Sequence, residues 1–281
     1  MARNVKEFED YLIENPHGVV PLSNYEKSPA TAFLNFVCLA KDASIQCTSK
    51  FKNGRNSYTQ DALDSIYIIN GGLLASIMGN FETFEKYMFA GMFELSVYLK
   101  KFNLEKFLKD IKKASKQDAN TKFEMDFSRV AGYRDSKVSI GLLLGDQLKN
   151  WQSPTIVSSY FGAFNLKSSN GQPKTIFSND DKERLSVLWQ MRHSIVHTAS
   201  TITLPDSQKI GKLSSFGGKV ISLDKQFINE VARKFHPIIK DATSLLKDCF
   251  EYNLRSDLTS DVSNRVANLF KVSSPCSIWL R

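Results

Sequence analysis

The sequence predicts an all-α, mostly helical protein, an antiparallel helical bundle with a small β-hairpin inserted late in the chain. Three patterns lead there. Between residues 60 and 102, apolar residues such as Ile66, Leu73, Leu74, Ile77, Phe81, Phe84, Phe89 and Met92 recur mostly at three- and four-residue intervals, the spacing of one helix face. Residues 224–251 repeat the pattern with Phe227, Ile228, Val231, Phe235 and Ile239. Between the two, residues 181–200 read as an amphipathic helix. Its start is marked by Ser178-Asn179-Asp180-Asp181, a cap residue followed by acids in the first turn, where the helix dipole favours negative charge.

Taken in order, residues 5–14 suit a short helix with Phe8, Tyr11 and Leu12 at helical spacing, stopped by Pro16. Residues 17–35 hold Pro21 and Pro29 and read as an irregular surface segment. The apolar run 31–40 is too short to assign to helix or strand, and residues 51–56 form a turn-rich basic loop. Residues 1–58 are accordingly expected to be an N-terminal extension, residues 59–250 the helical domain, and residues 251–281 a C-terminal tail with a short helix.

The 60–102 pattern exceeds a typical globular helix, so one long bent helix or two in sequence are expected. Gly71-Gly72 and Gly79 allow a break or close packing there. The Phe81, Phe84, Phe89, Phe93 stripe is assigned to the core and not to base stacking, because its period is helical. Lys-rich residues 104–114 continue as helix, and 116–134 form a polar loop carrying Arg129 and Arg134. Residues 136–151 form a helix with Ile140, Leu143, Leu144 and Leu148 inward. Pro154 suits the first turn of the next. Residues 201–223 suggest a hairpin around Gly217-Gly218, or else a long ordered loop. Pro237 is expected to kink or divide the 224–251 helix. Residues 258–272 form a last short helix before an extended end with Trp279.

Composition narrows the class. The 281 residues are 42% hydrophobic and 23% charged, ordinary for a globular protein with a sizeable core. A net charge of +8 favours a polyanionic partner such as nucleic acid. Cys38, Cys47, Cys249 and Cys276 show neither CxxC spacing nor a nearby histidine pair, which suggests free thiols in a reducing compartment and no metal centre. The charged N-terminus does not resemble a signal peptide, and no apolar run approaches the ~20 residues that span a bilayer. A cytoplasmic location, with no membrane partner, is the expectation. Neither GxxxxGK[ST] nor GxGxxG occurs, which argues against a nucleotide-triphosphatase or dinucleotide-binding enzyme.

The chemistry-bearing stretch is Arg192-His193-Ser194-Ile195-Val196-His197, which holds two of the chain's four histidines. At about 100° per residue, Leu185, Leu188, Trp189, Ile195 and Val196 fall on one stripe, Arg192 lies within it, and His193 and His197 sit one turn apart on its edge. A core-facing arginine is costly unless something anionic or hydrogen-bonding meets it. Either the helix packs against such a partner, or it lines a cleft. His17 and His236 have no partner pattern and read as surface or turn residues.

An Arg-x4-His spacing carries little weight alone. Its position near the end of a capped helix, after several long helices and before a Gly-containing segment, resembles the HEPN ribonuclease superfamily. That helical-bundle family has an Arg-x4–6-His motif whose first x is usually Asn, Asp or His, and Arg192, His193 and His197 match it in full. The resemblance covers roughly residues 60–250. It is strong at the motif and architectural elsewhere. Residues 81–89, FETFEKYMF, are similar to the helix of some members that carries a supporting glutamate, with Glu85 the first match and Glu82 the second.

The resemblance implies a metal-independent endoribonuclease without cofactor, in which the RNA's own 2′-OH attacks phosphorus and leaves 2′,3′-cyclic phosphate and 5′-OH ends. Such chemistry needs a base, an acid and a cation for the phosphorane charge; histidine and arginine supply these near neutral pH. It further implies a homodimer with two motif helices facing across one cleft, RNA (tRNA or mRNA) as substrate, a toxin or phage-defence role, and a regulatory protein or antitoxin as partner. Arg129 and Arg134 are candidate RNA contacts, and the 100–116 lysines read as a solvated helix face or else as an RNA-guiding strip. The competing readings are a helical RNA- or protein-binding module without catalysis, and a structural network in which Arg192 pairs with a buried carboxylate such as Glu85.

Overall fold

The computed structural model describes Phe8, Leu12 and residues 17–54, 57–115, 139–168 and 175–281. Ten α-helices lie within those residues: α1 (Leu22–Lys27), α2 (Pro29–Lys50), α3 (Gln60–Leu95), α4 (Leu104–Ala114), α5 (Ile140–Gln147), α6 (Pro154–Gly162), α7 (Asn179–His197), α8 (Leu204–Ser207), α9 (Phe227–Asn253) and α10 (Ser260–Leu269). The fold is all-α, as the periodicity predicts. Most helix starts are legible as hydrogen bonds. Thr59, Asn103, Ser139, Ser178, Thr203 and Thr259 each accept a backbone N–H of the first turn with a side-chain oxygen, satisfying a donor that the helix itself leaves orphaned. Pro29 and Pro154 occupy first-turn positions of α2 and α6, where no N–H is needed.

The axis of the molecule is α3, a single 36-residue helix about 54 Å long at ~1.5 Å per residue. It packs against α2, α5, α7, α9 and α10. Phe81, Phe84, Met88 and Phe89 are fully buried. At one end of the core Phe81 meets Phe33 of α2 and Phe235 of α9, with ring centroids 5.5 and 5.1 Å apart. At the other, Phe89 packs on Trp151, Phe161 and Phe164. Rings at these separations add edge-to-face and offset contacts to the area they bury. The aromatic stripe is core. By length and apolarity α3 would also pass for a membrane span, with 39% of its most apolar window buried against the other helices.

Several expectations change. Residues 17–35 are not an irregular extension. They form α1 and the start of α2, whose Ala30, Phe33, Leu34 and Val37 are buried in the same hydrophobic cluster as α3 and α9. The tail is likewise continuous with the core, through Val262, Val266, Leu269 and Phe270, and it ends in a turn of 3-10 helix, Ser277–Leu280. Pro237 neither divides nor ends α9; the helix loses one hydrogen bond there and is held by packing on both sides. No hairpin forms at Gly217-Gly218. A single antiparallel bridge joins Thr201 to Val220, and α8 and a 3-10 turn, Gly211–Leu213, lie between its arms. The pairing closes a long ordered loop, with Gly218 in the left-handed region at φ 77°. The helix expected at residues 5–14 and the loop arginines Arg129 and Arg134 fall outside the described residues.

One approach leaves no room for a side chain. A Cβ on Gly141 of α5 would stand 2.5 Å from the carbonyl oxygen and 2.8 Å from the Cα of Ala90 on α3, so the two backbones touch directly. Gly141→Ala must push α5 away from the central helix. We expect a loss of about 2 kcal/mol or more in chemical denaturation, whereas Gly72→Ala, where the added Cβ meets nothing within 4 Å, should be neutral or mildly stabilising.

Candidate functional site

The predicted cap of α7 is present in full. Ser178 Oγ accepts the Asp181 N–H at 3.1 Å and donates to the Asp181 carboxylate at 2.6 Å, and Arg184 pairs with Asp181 at 3.2 Å. The first half of the helix is anchored by Leu185, Leu188 and Trp189, all buried, with Trp189 6.4 Å from Phe81. The second half is anchored from another side. Val187, Met191 and Ile195 pack on a small second cluster made by Ile202, Leu213, Ile221 and Leu223 of the loop that follows. Met191 and Ile195 touch the main core as well, so towards its end α7 turns a further face, that of Met191 and Ser194, into cover.

That change of face explains Arg192. The apolar stripe runs past the edge of the core, so its last members are half-buried Arg192 and Val196, which is 48% exposed. The guanidinium Nε is sealed from solvent without a hydrogen-bond partner, and among the described residues no carboxylate lies within 4.0 Å of Arg192. His193 and His197 are exposed beside it, their rings 4.9 Å apart and tilted by 47°. The two imidazoles and the arginine therefore share one end of one helix, as the spacing requires.

The helix ends at His197. Ser194, fully buried, offers its carbonyl to the N–H groups of Thr198 and Ser200 at 3.0 and 2.9 Å. Ala199 and Ser200 both take positive φ, 48° and 63°, a left-handed pair that costs on the order of 1 kcal/mol per residue without glycine. The reversal brings Asp206 of α8 back beside His193. His193, Gln190, Trp189, Gln152, Asp206 and Lys209 line an open cavity of about 350 Å³. Asp206 accepts from Lys209 at 2.7 Å and from the Thr203 hydroxyl at 2.8 Å. These bonds, Lys209's first, hold its carboxyl below the usual range, and the nearby His193 contributes in the same direction. Sequence reasoning missed Gln190, although it stands one helical turn before His193, and it missed Gln152, Asp206 and Lys209, which nothing in their local pattern links to the motif.

Glu85 stands elsewhere. Gly71 of α3 meets Ile195, where an added Cβ would lie 3.3 Å from its Cγ2, while Phe81 meets Trp189. The two helices are thus antiparallel, and residue 85 falls abreast of the first half of α7, on the order of 10 Å along the axis from Arg192. It is 1% exposed, and neither carboxylate oxygen has a hydrogen-bond partner among the described residues. Burial first, and Glu82's charge second, push its pKa well above the ordinary carboxylate range. The Arg192–Glu85 pair is not formed, and Glu85 is not brought to the histidines. His236, expected at the surface, is fully buried; His17 is exposed.

Among the described residues no three His, Cys, Asp or Glu side chains converge as a metal-binding group. No family model, curated protein or solved structure matches the chain. The site is therefore read from its own chemistry.

Glu85 yields a pH signature. Because its folded pKa is raised above the unfolded value near ~4.3, its contribution to stability is complete below that pH and is lost as pH rises towards the folded pKa. Wild-type stability should fall with pH above about 5, by up to about 1.4 kcal/mol per unit from this group. Glu85→Met should remove that slope and be the more stable protein at pH 8, as checked by denaturant titrations across pH.

Proposed function

We propose that the chain is a HEPN-type endoribonuclease that cleaves RNA by attack of the 2′-OH on the adjacent phosphorus, giving 2′,3′-cyclic phosphate and 5′-OH ends. The observation that carries this reading is the state of Arg192. It is a half-buried, permanently charged fork with no carboxylate partner among the described residues, beside two solvent-facing histidines on the same helix end. A structural arginine at that depth would be paired, because breaking or omitting such a pair is costly. One that waits for phosphate would not be.

In this reading His197, at the rim, is the principal acid/base and His193 the second, exchanging a proton with the 2′-OH on one side and the 5′ leaving oxygen on the other. Arg192 donates to the non-bridging oxygens and stabilises the charge that builds on them as phosphorus becomes five-coordinate. Asp206 orients His193. Glu85, buried and without contact to the motif, has no direct part and serves the core. The stripe that outruns the core, ending in exposed Val196, supports a two-fold pairing of α7 with its counterpart in a second copy, which would place two Arg192–His193–His197 sets across one cleft. A defence or toxin role, with a partner that restrains the nuclease, follows from the family resemblance and belongs to the same proposal.

The test is direct. The purified protein should cut RNA to cyclic-phosphate ends in the presence of EDTA and spare DNA of the same sequence. His197→Ala and Arg192→Ala should each lower the rate by about 10²–10⁴-fold while leaving the circular dichroism spectrum and the melting temperature unchanged. Intact RNA under all conditions, cell extract included, would instead favour a helical module that binds RNA or protein without cutting it. Full activity in His197→Ala would sink the catalytic assignment.

A further inference from the structure

Far from the motif, the C-terminal tail brings a second set of reactive groups together. Cys38 and Lys41 lie one turn apart on α2, His236 lies on α9, and Ser274 and Cys276 come from the tail. Ser274 Oγ is 3.4 Å from Cys38 Sγ, 2.7 Å from His236 Nε2, and accepts the Cys276 N–H at 3.1 Å. Lys41 Nζ donates to Cys276 Sγ at 3.4 Å. The ring of Trp279 closes the cluster, edge-on to His236 at 5.1 Å and under the Lys41 ammonium at 5.5 Å.

The proton positions follow from the partners. His236 Nδ1 faces only a carbonyl, that of Ala232 at 2.7 Å, so Nδ1 carries the proton and Nε2 is an acceptor. Nε2 takes its short bond, 2.7 Å, from the Ser274 hydroxyl, with Cys38 Sγ also 3.9 Å from it, and the Ser274 lone pairs receive the Cys38 thiol and the Cys276 amide. This is a relay from thiol to imidazole. Burial, first, and the charge of Lys41 lower the His236 pKa, so the ring rests neutral with the Nε2 lone pair open to a hydrogen bond. The two cysteines meet at Ser274, whose Oγ lies 3.4 Å from Cys38 Sγ and 3.1 Å from Cys276 N; burial, the largest cause, raises the Cys38 pKa against the lowering effect of the Ser274 hydrogen bond.

We propose that Cys276 and Cys38 form a peroxide-reactive dithiol, with half-buried Cys276 the attacking sulfur and buried Cys38 the resolving one, closing to a disulfide that fastens the tail to α2. Lys41, itself paired with Asp42 at 2.7 Å, donates a hydrogen bond to the attacking sulfur and fixes its position. The Cys276 sulfur attacks one oxygen of a hydroperoxide and the O–O bond breaks; with hydrogen peroxide the other oxygen leaves as hydroxide and is protonated to water. Cys276 is then a sulfenic acid. The Cys38 proton passes through Ser274 to His236, the Cys38 sulfur attacks the Cys276 sulfur, and the S–O bond breaks with loss of a second water once that proton is delivered. Two thiols and one peroxide give one disulfide and two waters. The reaction is independent of the ribonuclease reading.

Peptide mapping after treatment of the reduced full-length protein with one equivalent of hydrogen peroxide tests it. The expected product is an intramolecular Cys38–Cys276 cross-link with the loss of two hydrogens, while Cys47 and Cys249 stay reduced. Cys38→Ser should stop at a sulfenic acid on Cys276 that dimedone captures, and Cys276→Ser should leave Cys38 unoxidised. Ser274→Ala should slow ring closure at least several-fold without slowing the first oxidation. Over-oxidation of Cys276 to sulfinic acid in the wild type, or preferential reaction of Cys47, overturns the proposal. So does equal oxidation of Cys38 in Cys276→Ser.

Discussion

Everything in this molecule is arranged to cover α3. A helix of 36 residues with large apolar side chains on more than one face cannot stand in water, since each fully exposed Phe, Leu or Ile would forgo roughly 1.5–3 kcal/mol of burial. No single neighbour is long enough to shield it. The chain therefore lays α2 and α9 against one part of it, and α4, α5 and α6 around the part that carries Phe89, filling the gaps with rings from Phe33, Phe107, Phe164 and Phe235. Where cover must come closest, a glycine removes the side chain, as Gly141 does against Ala90. One core runs from α1 to the tail. For that reason the N-terminal helices and the last thirty residues are parts of the bundle and not appendages.

The same constraint sets the electrostatics. Glu85 sits inside the packed surface with no donor among the described residues to meet it, so its low-energy form is the neutral acid. Arg192 cannot lose its charge. Its helix places it where the stripe leaves the core, close enough to be half-buried and far enough out that its head is reachable. Two ionisable groups at comparable hydrophobic positions thus meet opposite fates, one neutralised in the interior and one kept charged at an edge. An edge with an unpaired cation and two histidines is the kind of place where an anion can bind.

A second consequence concerns the loop after α7. It buries only a small cluster of its own, and a bundle could be closed with fewer residues. Its effect is local: it stops α7 immediately after His197 through the Ala199–Ser200 reversal and returns Asp206 and Lys209 to His193. Backbone strain next to exposed histidines is tolerated because the Ser194 carbonyl and the Thr201–Val220 bridge hold the turn from both sides.

Periodicity, caps and prolines in the sequence were enough to determine that the protein is helical, where α3, α4, α7 and α9 lie, that the phenylalanine stripe is core, and that Arg192, His193 and His197 share one helix end. These are local properties, set by spacing along a single helix and by the chemistry of its first turn. The tertiary structure alone decided the rest. It drew residues 22–50 into the core, because an apolar run is read as helix only when something covers it. It carried α9 through Pro237, because packing outweighs one missing hydrogen bond. It left Glu85 alone in the interior and turned His236 from a surface residue into part of a Cys38–Ser274–Cys276 cluster, because partners some 40 or 200 residues apart leave no mark on each other's local pattern. And it showed that nothing neutralises Arg192 among the described residues, since whether a charge on an apolar stripe finds a partner depends on what the other helices bring to its end.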